Sequence, residues 1–334
     1  MHPSRLLLLL LVPVGLHAQA PQPAAEKPPP PKAFADPSQT DEDFPIQGEY
    51  RGEHDGKQAG VQVLALGGGK FEAVGYPGGL PGDGWNGDRD KLKRVQAERA
   101  PGAATVTFLA HDANLRAEVG NQTLLLFDGQ GLKLAEFPRV ERESPAMGAS
   151  PPAGAVVLFD GKGINRFPKS RITEDGLLME GVTTEDKFTD CTVHVEFRLP
   201  YIPDARGQAR GNSGLYLQGR YEVQMLDSFS LSGEDNECGG LYKTARPKVN
   251  MCFPPLTWQT YDVDFTAAKY DASGSKTANA KLTVKHNGVL IHENQEVPAA
   301  STAAPVKEEN TPGPIYLQNH GNPVRYRNVW VLPK

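Results

Sequence analysis

Two polar residues on one candidate strand are the first in this sequence that could do chemistry. Glu222 and Gln224 lie two positions apart within GNSGLYLQGRYEVQMLDS (211–228), and apolar residues occupy the alternate positions around them. Successive side chains of a strand point to opposite faces, so the carboxyl and the amide share one face. Such a carboxyl serves either as a general acid or base, or as part of a solvated surface.

Two later segments also interrupt an apolar pattern with polar and aromatic side chains. Residues 236–265 are rich in turns, and residues 313–331 place Gln318 and His320 at alternate positions. A strand with one buried face needs none of these groups, so they indicate either a ligand site or a wet surface. The candidates from the three segments are Asn212, Glu222, Gln224, Tyr242, Lys243, Trp258, Gln318, His320 and Arg327.

Other catalytic patterns are missing from the sequence. It contains no HExxH motif and no spaced cysteine pairs for zinc, and GNSG at 211–214 lacks the glycine that a nucleophile elbow requires. Glu234, Asp235 and Glu237, with Asp227 nearby, could bind a divalent cation such as Ca²⁺. A solvated acidic loop has the same composition, and the sequence requires no cofactor.

Strands of period two must position the candidate residues. Residues 192–199 and 260–267 alternate apolar and polar side chains, and residues 280–293 form a hairpin pattern around Asn287-Gly288. One face of each strand is expected in the core and the other in solvent. The pattern predicts an all-β chain whose C-terminal part is a two-sheet sandwich of jelly-roll type.

The chain divides into segments of different composition. It has 334 residues, of which 35 are Gly and 29 are Pro. We expect a signal peptide at 1–20, a Pro-rich tether at 21–43, a small antiparallel β domain of unknown role at 44–142, a linker at 143–154 and the sandwich at 155–334. Alternatively, 143–154 is a long loop within a single domain.

The N-terminus and the charge indicate where the protein acts. Arg5 precedes the apolar run 6–16, and Ala18-Gln19-Ala20 follows it, which predicts export to the periplasm or medium with cleavage after Ala20. No later stretch is long and apolar enough to span a membrane. The net charge of −5 has no basic block, which argues against a nucleic-acid partner.

Five motifs give the C-terminal part a family resemblance. VVLFDGKGINRF (156–167), GNSGLYLQGRYEVQMLD, ECGGLY, VNMCFPPLTWQTYDVDF and GPIYLQNHGNPVRYRNVWV resemble the 3-keto-disaccharide hydrolase domain family. The resemblance covers about residues 155–334 and leaves 44–142 outside. It implies a concanavalin A-like jelly roll in an exported protein that cleaves glycosides whose sugar carries a ketone at carbon 3.

The resemblance also implies a chemistry and roles for the candidate residues. A carbon 3 ketone acidifies the hydrogen on carbon 2, so a base can remove it and expel the glycosidic oxygen before water adds. Glu222 is the first choice for this proton transfer and His320 the second. Gln318 and Arg327 would hold the enolate or sugar hydroxyls. Further substrate contacts would come from Asn212, Gln224, Tyr242 and Lys243, with Trp258 stacking on a sugar face.

Two other functions are compatible with the same sequence. A jelly roll hosts lectins as readily as enzymes, so a noncatalytic carbohydrate-binding module is the main alternative, and an extracellular interaction protein is a third.

Cys238 and Cys252 flank a turn-rich segment and are candidates for a disulfide, which would leave Cys191 free. Proximity in sequence alone does not fix that geometry.

Overall fold

The computed structural model describes residues 30–334, and the predicted signal peptide lies outside the described residues. All strand pairing within this part is antiparallel apart from one isolated bridge, which agrees with the predicted all-β class. Four 3-10 turns occur at Pro37–Gln39, Arg89–Lys91, His111–Ala113 and Gly207–Ala209. Within the same residues, no helix is long and apolar enough to cross a membrane.

Eight strands form the first sheet. Their spatial order is β4-β3-β2-β1-β8-β7-β6-β5, a meander in which β1 and β8 also pair. The edge strands β4 and β5 lie near one another, so the sheet curls around its own core. The strands are β1 Gly48–His54, β2 Lys57–Gly67, β3 Lys70–Pro77, β4 Lys93–Glu98, β5 Val106–Ala110, β6 Leu115–Gly120, β7 Thr123–Asp128 and β8 Lys133–Val140.

The strands after residue 155 form a two-sheet sandwich with one small ribbon. They are β9 Val156–Phe159, β10 Leu178–Met179, β11 Val182–Phe188, β12 Cys191–Arg198, β13 Ser213–Leu217, β14 Tyr221–Met225, β15 Trp258–Thr266, β16 Lys269–Tyr270, β17 Lys276–Ala278, β18 Ala280–His286, β19 Val289–Val297, β20 Gly313–Leu317 and β21 Arg325–Pro333. The larger sheet has the order β10-β21-β12-β15-β18-β19 with β9 on β21, and the smaller has the order β11-β20-β13-β14.

The inner faces of the two sheets make the core of the sandwich. Val193 and Val263 are register partners on β12 and β15, and Leu215 and Val223 are partners on β13 and β14. All four are fully buried and belong to one hydrophobic cluster. Because strand side chains alternate, the polar residues between them must lie on the outer faces. The sandwich predicted from the period-two strands is therefore confirmed.

The outer face of the larger sheet is not solvated, contrary to the expectation for residues 192–199. His194 and Glu196 on β12 are 0% and 1% exposed. The segment 147–149 lies over them, because Gly148 N–H donates to Glu196 Oε1 at 2.6 Å and Ala149 O accepts a hydrogen bond from Trp330 Nε1 at 3.2 Å. Alternation showed which side chains leave the core, but it could not show that another segment covers them.

The first sheet and the sandwich are joined by buried contacts, and residues 31–334 form one compact unit. Phe34, in the described part of the predicted tether, pairs through its backbone with Tyr201 of the sandwich. Arg94 on β4 donates to Ser230 O at 2.8 Å, and Arg210 donates to Ala65 O at 3.3 Å. The domain boundaries proposed from composition stay predictions.

Candidate functional site

Glu222 lies on the outer face of the smaller sheet, as alternation predicts. Its strand β14 pairs with β13, which places Tyr216 directly opposite Glu222 and Gly214 opposite Gln224. Glu222 is 4% exposed and Gln224 is 1% exposed, so loops cover this face as well. The backbone N–H of Glu222 donates to Ser301 Oγ at 3.0 Å, which ties the strand to one of those loops.

Gly214 provides the space that the Glu222 carboxyl occupies. A Cβ atom at position 214 would lie 2.5 Å from Glu222 Oε1 and 3.0 Å from the Tyr216 ring. Contacts that short do not occur in folded proteins, so a larger residue at 214 would displace the carboxyl. The glycine of the GNSG run, which does not fit a nucleophile elbow, therefore has a packing role beside the acid.

The electrostatic environment of Glu222 sets its protonation near neutral pH. Burial raises the pKa of Glu222 to about 7, although a hydrogen bond with the Tyr216 hydroxyl acts in the opposite direction. Within residues 30–334, no Lys, Arg or His forms an ion pair with this carboxyl. Burial and the charge of Glu222 likewise raise the pKa of Tyr216, which keeps its proton. A buried acid with these properties can accept or donate a proton at neutral pH.

Gln318 and two tyrosines extend the cluster from Glu222. Gln318 Nε2 donates to Tyr216 Oη at 3.1 Å, and the Tyr216 and Tyr316 rings lie 5.4 Å apart. Tyr316 Oη accepts a hydrogen bond from Asn319 N–H at 3.4 Å. Sequence reasoning selected Gln318 but gave Tyr216 no role. Tyr216 faces outward on its strand GLYL, just as Glu222 faces outward on its strand YEVQ.

Gln224 and Asn212 meet through a residue that sequence reasoning also missed. Gln208 Oε1 accepts hydrogen bonds from Gln224 Nε2 at 3.1 Å and from Asn212 Nδ2 at 3.0 Å. Asn322, in the closing motif, accepts from Asn212 N–H at 2.6 Å. Nothing in the sequence marked Gln208, whereas the motif containing Asn322 was already part of the family resemblance.

Two buried oxygen atoms of this group have no hydrogen-bond partner among residues 30–334. They are Asn212 Oδ1 and Gln318 Oε1. The orientation of the Asn212 amide is fixed, because its Nδ2 already donates to two oxygens of Gln208. Buried acceptors are nearly always satisfied, so each of these two oxygens can accept a hydrogen bond from a group that enters the site.

Tyr242 lies beside Glu222, and Lys243 and His320 lie at the periphery. Tyr242 N–H donates to Glu222 O at 3.3 Å, and the Tyr242 side chain is half-buried. Lys243 is exposed, with its Nζ 5.5 Å from the Tyr242 ring centroid. His320 is exposed in the bend after β20, and no hydrogen bond joins it to Glu222 in the described part of the chain.

Trp258 and Arg327 lie apart from the Glu222 group, although the family resemblance assigned both of them to the substrate. Arg327 Nε donates to Glu196 Oε2 at 2.6 Å on the larger sheet, and its guanidinium lies 4.1 Å from the Trp258 ring. Both residues line a separate cavity of about 560 Å³. Arg142, which follows strand β8 of the first sheet, also lines this cavity. The alternation of the sequence showed that each residue lies on the polar face of a strand, but it could not show which sheet that strand joins.

The three cysteines are buried free thiols, so the structure does not contain the predicted Cys238–Cys252 disulfide. The two thiols nevertheless lie near each other, and each perturbs the pKa of the other. Cys238 Sγ also lies 3.2 Å from Tyr261 Oη, and Cys252 Sγ lies 3.5 Å from Leu226 O. These polar contacts satisfy both thiols without a covalent bond.

The acidic side chains of the loop near the site form ion pairs and accept backbone hydrogen bonds, and they do not converge on one point as the ligands of a metal ion would. Asp227 pairs with Arg210 at 2.7 Å, Glu234 pairs with Arg246 at 3.0 Å, and Glu237 accepts from the Gly233 N–H at 2.7 Å. Across residues 30–334, no group of three or more His, Cys, Asp or Glu residues is placed to hold a metal ion.

Several solved structures are similar to part of this chain. No curated protein matches the chain in sequence. Three solved structures from Parabacteroides distasonis, provisionally described as glycosyl hydrolases, are similar to it. The first is 29% identical, covers 55% of this chain and 85% of its own, and has a TM-score of 0.49. The other two are 17% and 18% identical, cover 54% and 49% of this chain and 94% and 90% of their own, and have TM-scores of 0.40 and 0.34.

The family match spans the whole sandwich. The 3-keto-alpha-glucoside-1,2-lyase-like domain model matches residues 154–332, which contain the Glu222 cluster and every motif quoted above. More than half of the chain lies within this match. The protein therefore belongs to the 3-keto-alpha-glucoside-1,2-lyase-like domain family, as its motifs indicate.

Proposed function

We propose that this protein cleaves glycosides whose sugar has been oxidised to a ketone at carbon 3, and that Glu222 is the base. The observation that carries the proposal is the Glu222 carboxyl itself, which is buried, has no cationic partner among residues 30–334, and has a pKa of about 7. Membership of a family named for a 1,2-lyase supports an elimination across carbons 1 and 2.

The proposed reaction has two steps. Glu222 removes the proton from carbon 2, the electron pair forms the double bond between carbons 1 and 2, and the glycosidic oxygen leaves carbon 1 and takes a proton. Water then adds to carbon 1, and carbon 2 regains a proton, so the net change is hydrolysis. The Tyr216 hydroxyl and the Gln318 amide lie next to the base and can donate hydrogen bonds to the enolate oxygen.

The composition of the cluster favours elimination over ordinary glycoside hydrolysis. Ordinary glycosidases use two carboxyl groups about 5–9.5 Å apart on either side of the scissile bond. The hydrogen-bonded group around Glu222 contains Tyr216, Gln318 and Ser301 but no second carboxyl in the described residues. One base beside neutral donors suits a substrate whose ketone already activates the carbon 2 hydrogen.

The other predicted residues receive narrower roles. Asn212 and Gln318 would each accept a hydrogen bond from a sugar hydroxyl through their unpartnered oxygens. Tyr242 and Lys243 would contact the substrate at the edge of the site, and His320 stays the second candidate for proton transfer, to the leaving group. Trp258 and Arg327 belong to the other sheet and are not assigned to the substrate.

Reaction in deuterated water tests the proposed function. The protein is incubated with 3-keto-trehalose or an aryl 3-keto-glucoside, and the products are analysed by mass spectrometry and NMR. We expect release of the leaving group and one deuterium on carbon 2 of the keto sugar. Release without deuterium at carbon 2, beyond that in an enzyme-free control, would show direct hydrolysis. Binding without release would show a lectin-like module.

Export is part of the proposal. The predicted signal peptide would place the enzyme in the periplasm or the medium, where it would meet keto sugars made by a separate oxidoreductase. Intact-mass measurement of the protein purified from its host should show a chain that begins after Ala20. A mature chain that retains residues 1–20 would contradict cleavage.

A further inference from the structure

The first sheet encloses a cavity that the proposed chemistry does not use. The cavity has a volume of about 370 Å³, which lies in the range of about 300–1,000 Å³ for small-molecule sites. It lies among the inward side chains of the eight curled strands, and its lining residues all precede residue 138 of the chain. Eight-stranded barrels are wide enough either to be filled by side chains or to hold one small ligand.

Residue size explains why only one end of this sheet is open. At the closed end, large inward side chains fill the interior, and each is 0% exposed: Tyr50, Val63, Phe71, Val106 and Val119. Toward the open end, the same strands place smaller residues inward, among them Ala59, Ala73, Gly75 and Ala117. A Cβ atom added at Gly75 would meet nothing within 4 Å, which shows that this position faces empty space.

The wall of the cavity is apolar, and the side chains at its mouth are basic. Leu115, Leu124, Leu126, Phe108 and Phe137 complete the wall. The charged or titratable side chains that line it are Lys57, Lys91, Lys93, His54 and Tyr76, and no Asp or Glu is among the lining residues described. An apolar interior with a basic mouth is complementary to a molecule that has an apolar chain and an anionic head.

The acidic residues near the mouth pair only weakly with these bases. Lys91 lies 2.6 Å from Asp88, and Lys93 lies 3.3 Å from Asp112, but both lysine side chains are more than 70% exposed. Exposed pairs of this kind contribute about 0–1 kcal/mol, so a ligand carboxylate can replace them. Lys57 forms no ion pair within residues 30–334.

We infer that the first sheet binds one single-chain fatty carboxylate, with its hydrocarbon in the cavity and its carboxylate among Lys57, Lys91 and Lys93. On β2 the lining residues run from Lys57 to Val61, four residues apart, so the cavity extends roughly 13 Å along this strand at about 3.3 Å per residue. This extent suits an acyl chain of medium length. The occupant is a free small molecule, and its binding does not depend on the keto-glycoside proposal.

The test uses the full-length mature protein and dodecanoate. Displacement of a fluorescent fatty acid measures affinity, and native mass spectrometry reports whether one dodecanoate adds per chain. Dodecan-1-ol is the neutral ligand of the same length. We expect saturable dodecanoate binding with one mass increment, and weaker binding of the alcohol.

Two sets of variants separate the cavity from the mouth. Gly75→Leu fills the cavity and should abolish binding, and its φ is not in the left-handed region, so the backbone accepts a side chain. Thr107→Leu, on the exposed outer side of β5, is the matched control and should bind normally. Lys57→Gln with Lys93→Gln should weaken dodecanoate binding roughly tenfold and leave alcohol binding unchanged.

Several results would overturn the inference. They are the absence of dodecanoate binding to the wild-type protein, or undiminished binding by a folded Gly75→Leu variant. Equal affinity for the acid and the alcohol, unchanged in the double lysine variant, would overturn the anionic head group. A dimer in sedimentation that dissociates in Gly75→Leu, with no ligand mass increment, would assign the cavity to a second copy of the chain.

Discussion

The two outer faces of the sandwich each bury one glutamate, and the two carboxyls have opposite properties. Glu222 on the smaller sheet is 4% exposed and Glu196 on the larger sheet is 1% exposed. Burial raises the pKa of Glu222 to about 7. Burial acts on Glu196 in the same direction, but hydrogen bonds with His194, Asn328, Arg327 and Gly148 N–H outweigh it and hold its pKa at about 2.

The difference between the faces lies in the partners and not in the depth of burial. Both oxygens of Glu196 are occupied, by Arg327 at 2.6 Å and by Gly148 N–H and Asn328 at 2.6 and 2.9 Å. Within residues 30–334, the Tyr216 hydroxyl is the only hydrogen-bond partner of the Glu222 carboxyl. A fully paired carboxylate fixes the segment 147–149 on its sheet, whereas a weakly paired one is free to exchange a proton with a substrate.

Replacing each glutamate by glutamine should produce the largest contrast between the faces. Glu222→Gln keeps the size and removes the base, so turnover of a 3-keto-glycoside should fall about 10²–10⁴-fold. Glu196→Gln should leave turnover within a few-fold of the wild type once the protein is folded. Steady-state kinetics checks both, with the exposed Glu185→Gln on β11 as the control. Undiminished turnover in Glu222→Gln would remove Glu222 from the mechanism.

The two carboxyls should also affect stability against pH with opposite sign. The folded pKa of Glu222 is raised, so its contribution to stability falls as the pH rises from 4.5 to about 7, by on the order of 3 kcal/mol. The folded pKa of Glu196 is lowered, so its contribution is present above pH 4.5 and is lost as the pH falls towards 2.

Urea unfolding of the two glutamine variants measures these contributions. At pH 8, Glu222→Gln should be more stable than the wild type, and the gain should disappear near pH 4. Glu196→Gln should be less stable at pH 7, and its deficit should shrink near pH 3. The same sign of change for both variants at pH 8 would contradict the assigned environments.

A methyl group at position 214 should displace the Glu222 carboxyl without any change to residue 222 itself. Gly214→Ala places its Cβ only 2.5 Å from Glu222 Oε1, so the carboxyl must move. A displacement of about 1 Å can cost 10²-fold in rate, and we expect a loss of about this size in kcat. Gly75→Ala, whose Cβ meets nothing, is the matched glycine control. Wild-type kcat in Gly214→Ala would mean that the carboxyl position is not critical.

The smallest expected effect is the loss of one hydrogen bond from the paired carboxylate. Asn328→Ala removes the donor 2.9 Å from Glu196 Oε1 and should destabilise the fold by about 1–2 kcal/mol, with turnover unchanged. Gln318→Ala, on the other face, should instead raise KM or lower kcat. Thermal unfolding and kinetics of both variants separate the two roles. A loss of turnover in Asn328→Ala would contradict a purely structural role for Asn328.

The sequence predicted the parts of this picture that depend on alternation. Period two placed Glu222 and Gln224 on one outer face, and the family motifs placed Asn212 and Gln318 near them. Alternation does not reveal which sheet a strand joins, so it grouped Trp258 and Arg327 with residues that lie on the other side of the core. It also could not show that residues 147–149 cover Glu196.

Contacts between distant segments account for what the sequence missed. Gln208 lies in a 3-10 turn with no motif, yet it joins Asn212 to Gln224. The sequence around Tyr216 is that of an ordinary buried strand. Only the pairing of Tyr216 opposite Glu222 indicates a role for it. The cavity of the first sheet depends on which inward positions hold small residues, a property of the closed sheet and not of any one strand.

Direct titration of the two glutamates by NMR is the most direct test of this account. Side-chain carboxyl carbons are labelled, and Glu222 and Glu196 are assigned from their glutamine variants. We expect the Glu222 signal to titrate near pH 7 and the Glu196 signal to remain that of a carboxylate down to about pH 3. A Glu222 signal that titrates near 4.5, or a Glu196 signal that titrates above it, would contradict the central claim.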